Sequence, residues 1–354
     1  MPSPRYRVAR ELDRHPVPGD NTQRVINDAA ADAAPRLRPV KAAKVELDPA
    51  AGVAGAFTLL VRDCAAHMQA NEAGLLSRRN TEFLHQFRVG LRRLRSLLRL
   101  YRPLLAPERY ALLTTEMSWL AGTLGAARDW DVFLEETVAP LLRCEPAATG
   151  LAALRRRCVS QHRGCAQSAR AALASTRYAA FKLDLSAIVT APAWAQDGAA
   201  RELLALPVAA FAVGRIAKRE KSVHRLAENL HTADAAYRHR LRIAAKKLRY
   251  TVEFFRSLFE RKAARDYAGA LAAMQDALGK LNDCATARRL LESVPAGRDA
   301  AADAAARALV LDWIALQEQH ALVALDLSCT TWRAQAQFWE SALPGARSEQ
   351  DDTA

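Results

Sequence analysis

Glycine and proline are scarce in this chain of 354 residues, 15 of each, which leaves too little punctuation for a protein of many short strands and tight turns. Aromatic residues are few, at 6%. No apolar run approaches the roughly 20 residues that span a bilayer; the longest, Leu203–Gly214, contains Pro207 and stops at Arg215. The first residues, MPSPRYRVARELDRHPVPGD, lack the apolar stretch of a secretion signal, so a soluble cytoplasmic protein with no membrane partner is expected. Six cysteines, at 64, 144, 158, 165, 284 and 329, fall within helical patterns of a large chain, and reduced thiols are expected. A Gly-rich phosphate loop is missing, as is any Ser or Cys with an identifiable base. A non-enzymatic protein without cofactor or metal is therefore expected. What remains is 51% apolar and 25% charged residues, enough to build a sizeable helical core.

The formal charge of +13 and the pI near 9.8 are locally concentrated. Residues 78–110 hold nine Arg and two Glu, and residues 238–262 hold nine Lys or Arg and two Glu; the rest of the chain is nearly neutral. In the first window His85, Arg88, Arg92, Arg95, Arg99 and Arg102 alternate by three and four, which on an α-helix forms one stripe about 25 Å long. Beside it run Leu84, Phe87, Leu91, Leu94, Leu98, Tyr101 and Leu105, an apolar seam. The second window repeats the design with His239, Arg242, Lys246, Arg249 and Arg256, interrupted by Glu253, beside Leu241, Ala245, Leu248, Val252, Phe255 and Phe259.

The two stripes are 154 residues apart, and the offset continues: Arg93 maps to Lys247, Leu124-Gly125 to Leu278-Gly279 and Asp129 to Asp283. A constant offset over this distance predicts an internal duplication. The expected organisation is an extended or partly disordered arm over 1–50, a first helical bundle over 51–195, a second over 200–342 and a frayed tail over 343–354. Helices are predicted near 52–75, 79–104, 107–125, 128–142, 147–174 and 177–190, with counterparts from 201 onward; short loops imply antiparallel neighbours.

A row of like charges repels itself by a few tenths of a kcal/mol per pair on an exposed helix. The stripe is either a solvated or acid-paired face or a row of ligands. Within the windows, Glu82, Glu108, Glu253 and Glu260 are too few to neutralise it, and linear arrays of Arg and Lys suit repeated phosphate groups. The stripes lack the stacking aromatics, Asn and Gln with which nucleic-acid modules read bases. A polyanion made of phosphate without bases fits better. A third stripe, Arg215, Lys218, Ser222 and Arg225, flanked by Arg219 and Lys221, is either a surface face or part of the same cleft. Arg156, Arg163, Arg170 and Arg177, seven apart, carry the same two readings.

The segments HQFRVGLRRLRSLLRLYRPLL from His85, WLAGTLGAARDWDVFL from Trp119, HRLRIAAKKLRYTVEFF from His239 and ALGKLND from Ala277 resemble the hallmark stretches of the CHAD domain, a conserved-histidine α-helical domain. The resemblance covers about residues 50–342. It implies an all-α fold of two pseudo-twofold-related four-helix bundles with a basic cleft between them that binds inorganic polyphosphate, and association with polyphosphate granules. The implied ligands are His85, Arg88, Arg92, Arg93 and Arg95 in one half, and His239, Arg242, Lys246, Lys247 and Arg249 in the other. Many members carry a preceding CYTH triphosphatase domain with a Glu-x-Glu-x-Lys motif. That motif is missing here, and RPVKAAKVELDP resembles the connector that follows it.

Alternatives remain open. The same cleft would serve a nucleic acid, or belong to a phosphohydrolase or its accessory domain. Cys158, His162 and Cys165 share a helical face, which suits either zinc or core packing. Asp129, Asp131 and Asp283 suit either Mg²⁺ on a polyphosphate or the capping of helices and orientation of Arg side chains.

Overall fold

The computed structural model of the protein describes residues 37–77, 80–195, 197–230 and 234–340. Most of the expected N-terminal arm and all of the expected tail lie outside them. The described residues form an all-α fold, with isolated bridges at Gly52–Pro207 and Leu105–Trp194 as the only β pairing among them.

Local chemistry explains where the helices begin. After α1 (Val53–Ser77), α2 (Thr81–Leu100) starts at Asn80, whose side chain accepts the backbone N–H of Glu82. Glu82 in the first turn and Arg99 in the last complement the helix dipole. Pro103 ends the run, and a 3-10 turn over Arg102–Leu104 leads to α3 (Pro107–Phe133), which opens on proline at its first position, where no N–H is needed. Then follow α4 (Ala139–Cys144), α5 (Leu151–Leu173), α6 (Thr176–Thr190), α7 (Gly198–Ala205) and α8 (Val208–Ala227). Asp234 caps α9 (Ala235–Phe255), a 3-10 turn covers Arg256–Leu258, Glu260 caps α10 (Arg261–Ser293), and Asp299 caps α11 (Ala300–Arg333).

One boundary differs from the sequence expectation. Residues 107–125 and 128–142 were expected as two helices, but α3 runs unbroken to Phe133 and passes through a π turn, Leu134–Val138, into α4. Gly125 does not break it. A Cβ there would lie 3.2 Å from Arg88 Nη1, so the missing side chain makes room for a guanidinium rather than for a turn.

The order helix, helix, 3-10 turn, helix occurs twice, with the two 3-10 turns 154 residues apart and the following helices again 154 apart. α1 packs on α2 and α8 on α9; α2 also meets α9, and α3 meets α10. The larger core joins Phe57, Phe87 and Leu94 to Phe211, Leu248, Phe255 and Trp332. A smaller one joins Trp130, Phe133 and Leu154 to Leu291, Val310 and Ile314. Both cores mix residues from before 195 and after 200. The apolar packing therefore ties α2 and α9 to a shared framework, which fixes their basic faces relative to each other.

The described part of the connector is docked. The Val40 backbone N–H donates to Asn71 Oδ1 at 3.0 Å, and its carbonyl accepts from Asn71 Nδ2 at 2.9 Å. Leu47 is buried and its N–H donates to Ser257 Oγ at 3.0 Å. Between these anchors Ala42 and Ala43 form part of a cavity wall.

Candidate anion-binding cavity

α2 and α9 face a cavity of about 750 Å³ whose far wall comes from α3 and α10. From α2 it is lined by His85, Arg88, Arg92 and Arg93; from α9 and the turn after it, by Arg242, Lys246, Arg249 and Arg256. Two further cations, Arg128 and Lys280, come from α3 and α10. Against these nine Arg and Lys stand Asp129, Glu136, Glu253, Asp276 and Asp283.

The cations divide by partner. Arg93 is buried, ion-paired to Asp63 at 2.8 Å and set over the Phe254 ring at 5.7 Å. Arg249 pairs with Glu253 at 2.7 Å, Arg128 with Glu135 at 3.7 Å, and Lys280 with Glu136. Arg88, Arg92, Arg242, Lys246 and Arg256 have no ion-pair partner among the described residues. Arg88 Nη1 donates to the Ala121 carbonyl at 2.9 Å, and Arg92 Nε donates to the Tyr250 hydroxyl at 3.3 Å. The Nε atoms of Arg88 and Arg242 are buried without any hydrogen-bond partner. A buried, unsatisfied charged donor is costly, and these guanidinium groups would gain from an anionic partner in the cavity they line.

The electrostatics agree with the geometry. Burial, reinforced by Arg242 and Arg92, pushes the Lys246 ammonium down to about 7. Burial and then Arg92 bring Arg88 down to about 10. The His85 imidazole is lowered by burial, then by Arg128 and Arg92. Asp129 and Asp283 are both raised, first by burial, even though Arg88 and Arg242 respectively pull them down. These carboxylates sit among guanidinium groups: Arg289 Nη2 lies 3.8 Å from Asp129. Among the described residues no three His, Cys, Asp or Glu side chains converge as a metal site would need.

The remaining sequence candidates lie elsewhere. Arg95, Arg99 and Arg102 extend the α2 stripe beyond the cavity lining, and Arg102 sits over the Tyr110 ring at 5.6 Å. His239 is exposed and does not line the cavity, unlike His85. Lys247 and Arg215 lie outside the lining, while Lys218 and Arg225 are exposed on α8. In the seven-residue row, Arg156 and Arg163 are exposed and Arg177 pairs with Glu116 at 2.7 Å. Asp131 turns from the cavity to accept from His162 Nε2 at 2.7 Å. Cys158 is enclosed in the smaller core, its thiol pushed up to about 11 by burial.

Arg128 and Lys280 were not legible as part of the cavity because neither belongs to a periodic basic stripe. Their only signal was adjacency: Arg128 precedes Asp129, and Lys280 follows Gly279 within the repeated Leu-Gly segment.

No helix among the described residues is long and apolar enough to cross a membrane. No curated protein matches the sequence. The solved CHAD domain from the plant Ricinus communis is 33% identical, with a TM-score of 0.72 over 84% of this chain and 98% of that one. PptA from Streptomyces chartreusis shares the fold at 17% identity, with a TM-score of 0.61 over 79% of this chain and 100% of that one. The CHAD domain itself matches residues 59–292, a span that holds every residue lining the cavity except Ala42 and Ala43, and this chain belongs to the CHAD domain family.

Proposed function

We propose that this protein binds inorganic polyphosphate in the cavity between α2 and α9 and does not transform it. The observation that carries the reading is the group of five cations, Arg88, Arg92, Arg242, Lys246 and Arg256, that meet in one cavity without ion-pair partners among the described residues. Repeated phosphates satisfy such a group by charge-assisted, often bidentate hydrogen bonds. CHAD domains are associated with polyphosphate in general, which supports the same ligand. Binding of this kind is electrostatic and blind to sequence, and it suits a protein held at polyphosphate granules in the cytoplasm.

Nucleic acid is the competing ligand. The aromatic ring lining the cavity is Tyr250, which is buried with its hydroxyl engaged by Arg92, so no free ring face is offered to a base. Hydrolysis would need a positioned carboxylate or a metal-activated water. Of the carboxylates lining the cavity, Glu136 and Glu253 are ion-paired and Asp276 is exposed, while Asp129 and Asp283 sit in surroundings that suit orienting Arg88 and Arg242.

Competition between long-chain polyphosphate and single- or double-stranded nucleic acid at equal phosphate concentration tests the ligand. Polyphosphate is expected to displace either nucleic acid completely; displacement in the other direction would overturn the reading. Incubation with Mg²⁺ should release no phosphate above a protein-free control.

A further inference from the structure

We propose that the phosphate path is asymmetric: it continues past the cavity toward α8, where Arg95, Arg99, Arg215, Arg219 and Lys247 form a second anion-binding site, and is shut at the equivalent opposite position by Asp63 and Glu253. This rests on polyphosphate being the ligand of the cavity.

The 154-residue register shows what has been exchanged. Arg93 corresponds to Lys247 and Arg249 to Arg95, but Glu253 corresponds to Arg99 and Asp63 to Ala217. At the first position each cation has its own carboxylate, Arg93 with Asp63 at 2.8 Å and Arg249 with Glu253 at 2.7 Å. Ala42 and Ala43 of the docked connector add to the wall of the cavity that Arg93, Arg249 and Glu253 line. At the second position both acids are gone. α8 adds two more cations, Arg215 and Arg219, where α1 has Val61 and Ala65.

These five side chains act on one another. Arg219 is brought down to about 10 by burial, then by Arg215 and Arg99. Lys247 is lowered by burial, then by Arg219 and Arg99, and Arg95 by burial, then by Arg99. None of the five has an ion-pair partner among the described residues. Arg215 is braced over the Phe211 ring at 4.7 Å, and its Nη2 atom, like Nε of Arg219, is buried without a hydrogen-bond partner. Guanidinium groups held in place with no carboxylate to neutralise them suit phosphate recognition. Arg95 and Arg99 lie on the same helical stripe as Arg88 and Arg92, and Arg99 is about 10 Å beyond Arg92 along α2. A long phosphate chain thus reaches both sites, whereas a short one occupies only the cavity, so length preference originates at α8 through linked binding.

The test pairs two variants with two probes, inorganic tripolyphosphate and long-chain polyphosphate, titrated at several salt concentrations. Arg215→Gln/Arg219→Gln is expected to weaken the long chain at least about tenfold. Its log–log salt slope should become shallower by about 0.7 for each cation removed, as for single strands, with tripolyphosphate unaffected. Arg88→Gln/Lys246→Gln in the cavity is expected to weaken both probes. Native long-chain affinity in the α8 variant, with loss in the cavity variant, would overturn this proposal and leave the cavity reading intact. Native affinity in the cavity variant would instead overturn the cavity reading. Should Arg215→Gln/Arg219→Gln fail to fold by circular dichroism, Arg99→Gln, at an exposed position, must show the same selective loss of the long chain.

Discussion

α2 and α9 carry the same motif in the same phase, yet the protein uses them differently. The α2 cations that line the cavity are housed: Arg88 on a carbonyl over Gly125, Arg92 on the Tyr250 hydroxyl, Arg93 on Asp63. On α9, Arg249 has Glu253, while Arg242 and Lys246 have no ion-pair partner among the described residues, and Lys246 is pushed down to about 7 by burial and its cationic neighbours. His85 lines the cavity and His239 does not. A motif that recurs at constant spacing keeps its helical phase, whereas each residue's surroundings are set by what the neighbouring helix supplies. Asp63 on α1 makes Arg93 part of the framework; Ala217 on α8 leaves Lys247 without that partner.

The largest expected effect breaks this contrast at its most buried point. Asp63→Ala leaves Arg93 buried beside an apolar ring and is expected to cost about 3–5 kcal/mol, the usual penalty for removing one partner of a buried pair. Lys247→Met at the corresponding position should be neutral or stabilising, because it removes a cation from among cations. Urea unfolding decides, and equal costs would erase the distinction drawn between the two positions.

The histidines come next. His85→Ala should weaken polyphosphate binding about tenfold, the value of one charge-assisted hydrogen bond, while His239→Ala stays near native affinity by calorimetry. Equal losses would mean that the ligand reaches both ends of the motif.

A pH dependence follows from Lys246. In the folded, unliganded protein it is pushed down to about 7 by burial, Arg242, Arg92 and Arg88, opposed by Asp283, whereas an unfolded lysine titrates near 10.4. Between these values the unfolded state binds the extra proton, so this group's contribution makes the unliganded fold gain stability as pH rises through the window. An anion reverses the preference. Affinity should therefore increase as pH falls from about 8 to 6, with proton uptake on binding, assisted by His85, whose imidazole is also lowered. Lys246→Met should flatten most of this dependence in titrations run in buffers of differing ionisation enthalpy.

The smallest effect concerns the paired glycines. Gly279 has nothing within 4 Å of where a Cβ would sit, so Gly279→Ala should stabilise α10 by about 0.5–1 kcal/mol. Gly125→Ala should forfeit that gain by displacing Arg88, and should also weaken binding; thermal melts with and without ligand separate the two.

The all-α fold was legible in the apolar seams at helical spacing beside the two basic stripes and in the scarcity of glycine and proline. The continuation of α3 past residue 125 was not, because Gly125 leaves room for Arg88 on a neighbouring helix rather than freeing the backbone for a turn. The basic faces of α2 and α9 were legible for the same reason as their seams. Arg128 and Lys280 were not, since their place in the cavity depends on how α3 and α10 cross the basic helices. Nor could spacing show that Arg219, rather than Lys218, joins the cations beside α9, or that Arg93 is tied to Asp63 on another helix.

The most direct test of the central claim is the salt dependence of long-chain polyphosphate affinity for the native chain and for Arg88→Gln/Arg92→Gln/Arg242→Gln/Lys246→Gln. The account predicts steep weakening with salt for the native protein, and in the variant a loss of affinity with a slope shallower by about 3, or roughly 0.7 per cation. A native slope near zero, or a variant that binds like the native chain with its helicity intact, would contradict it.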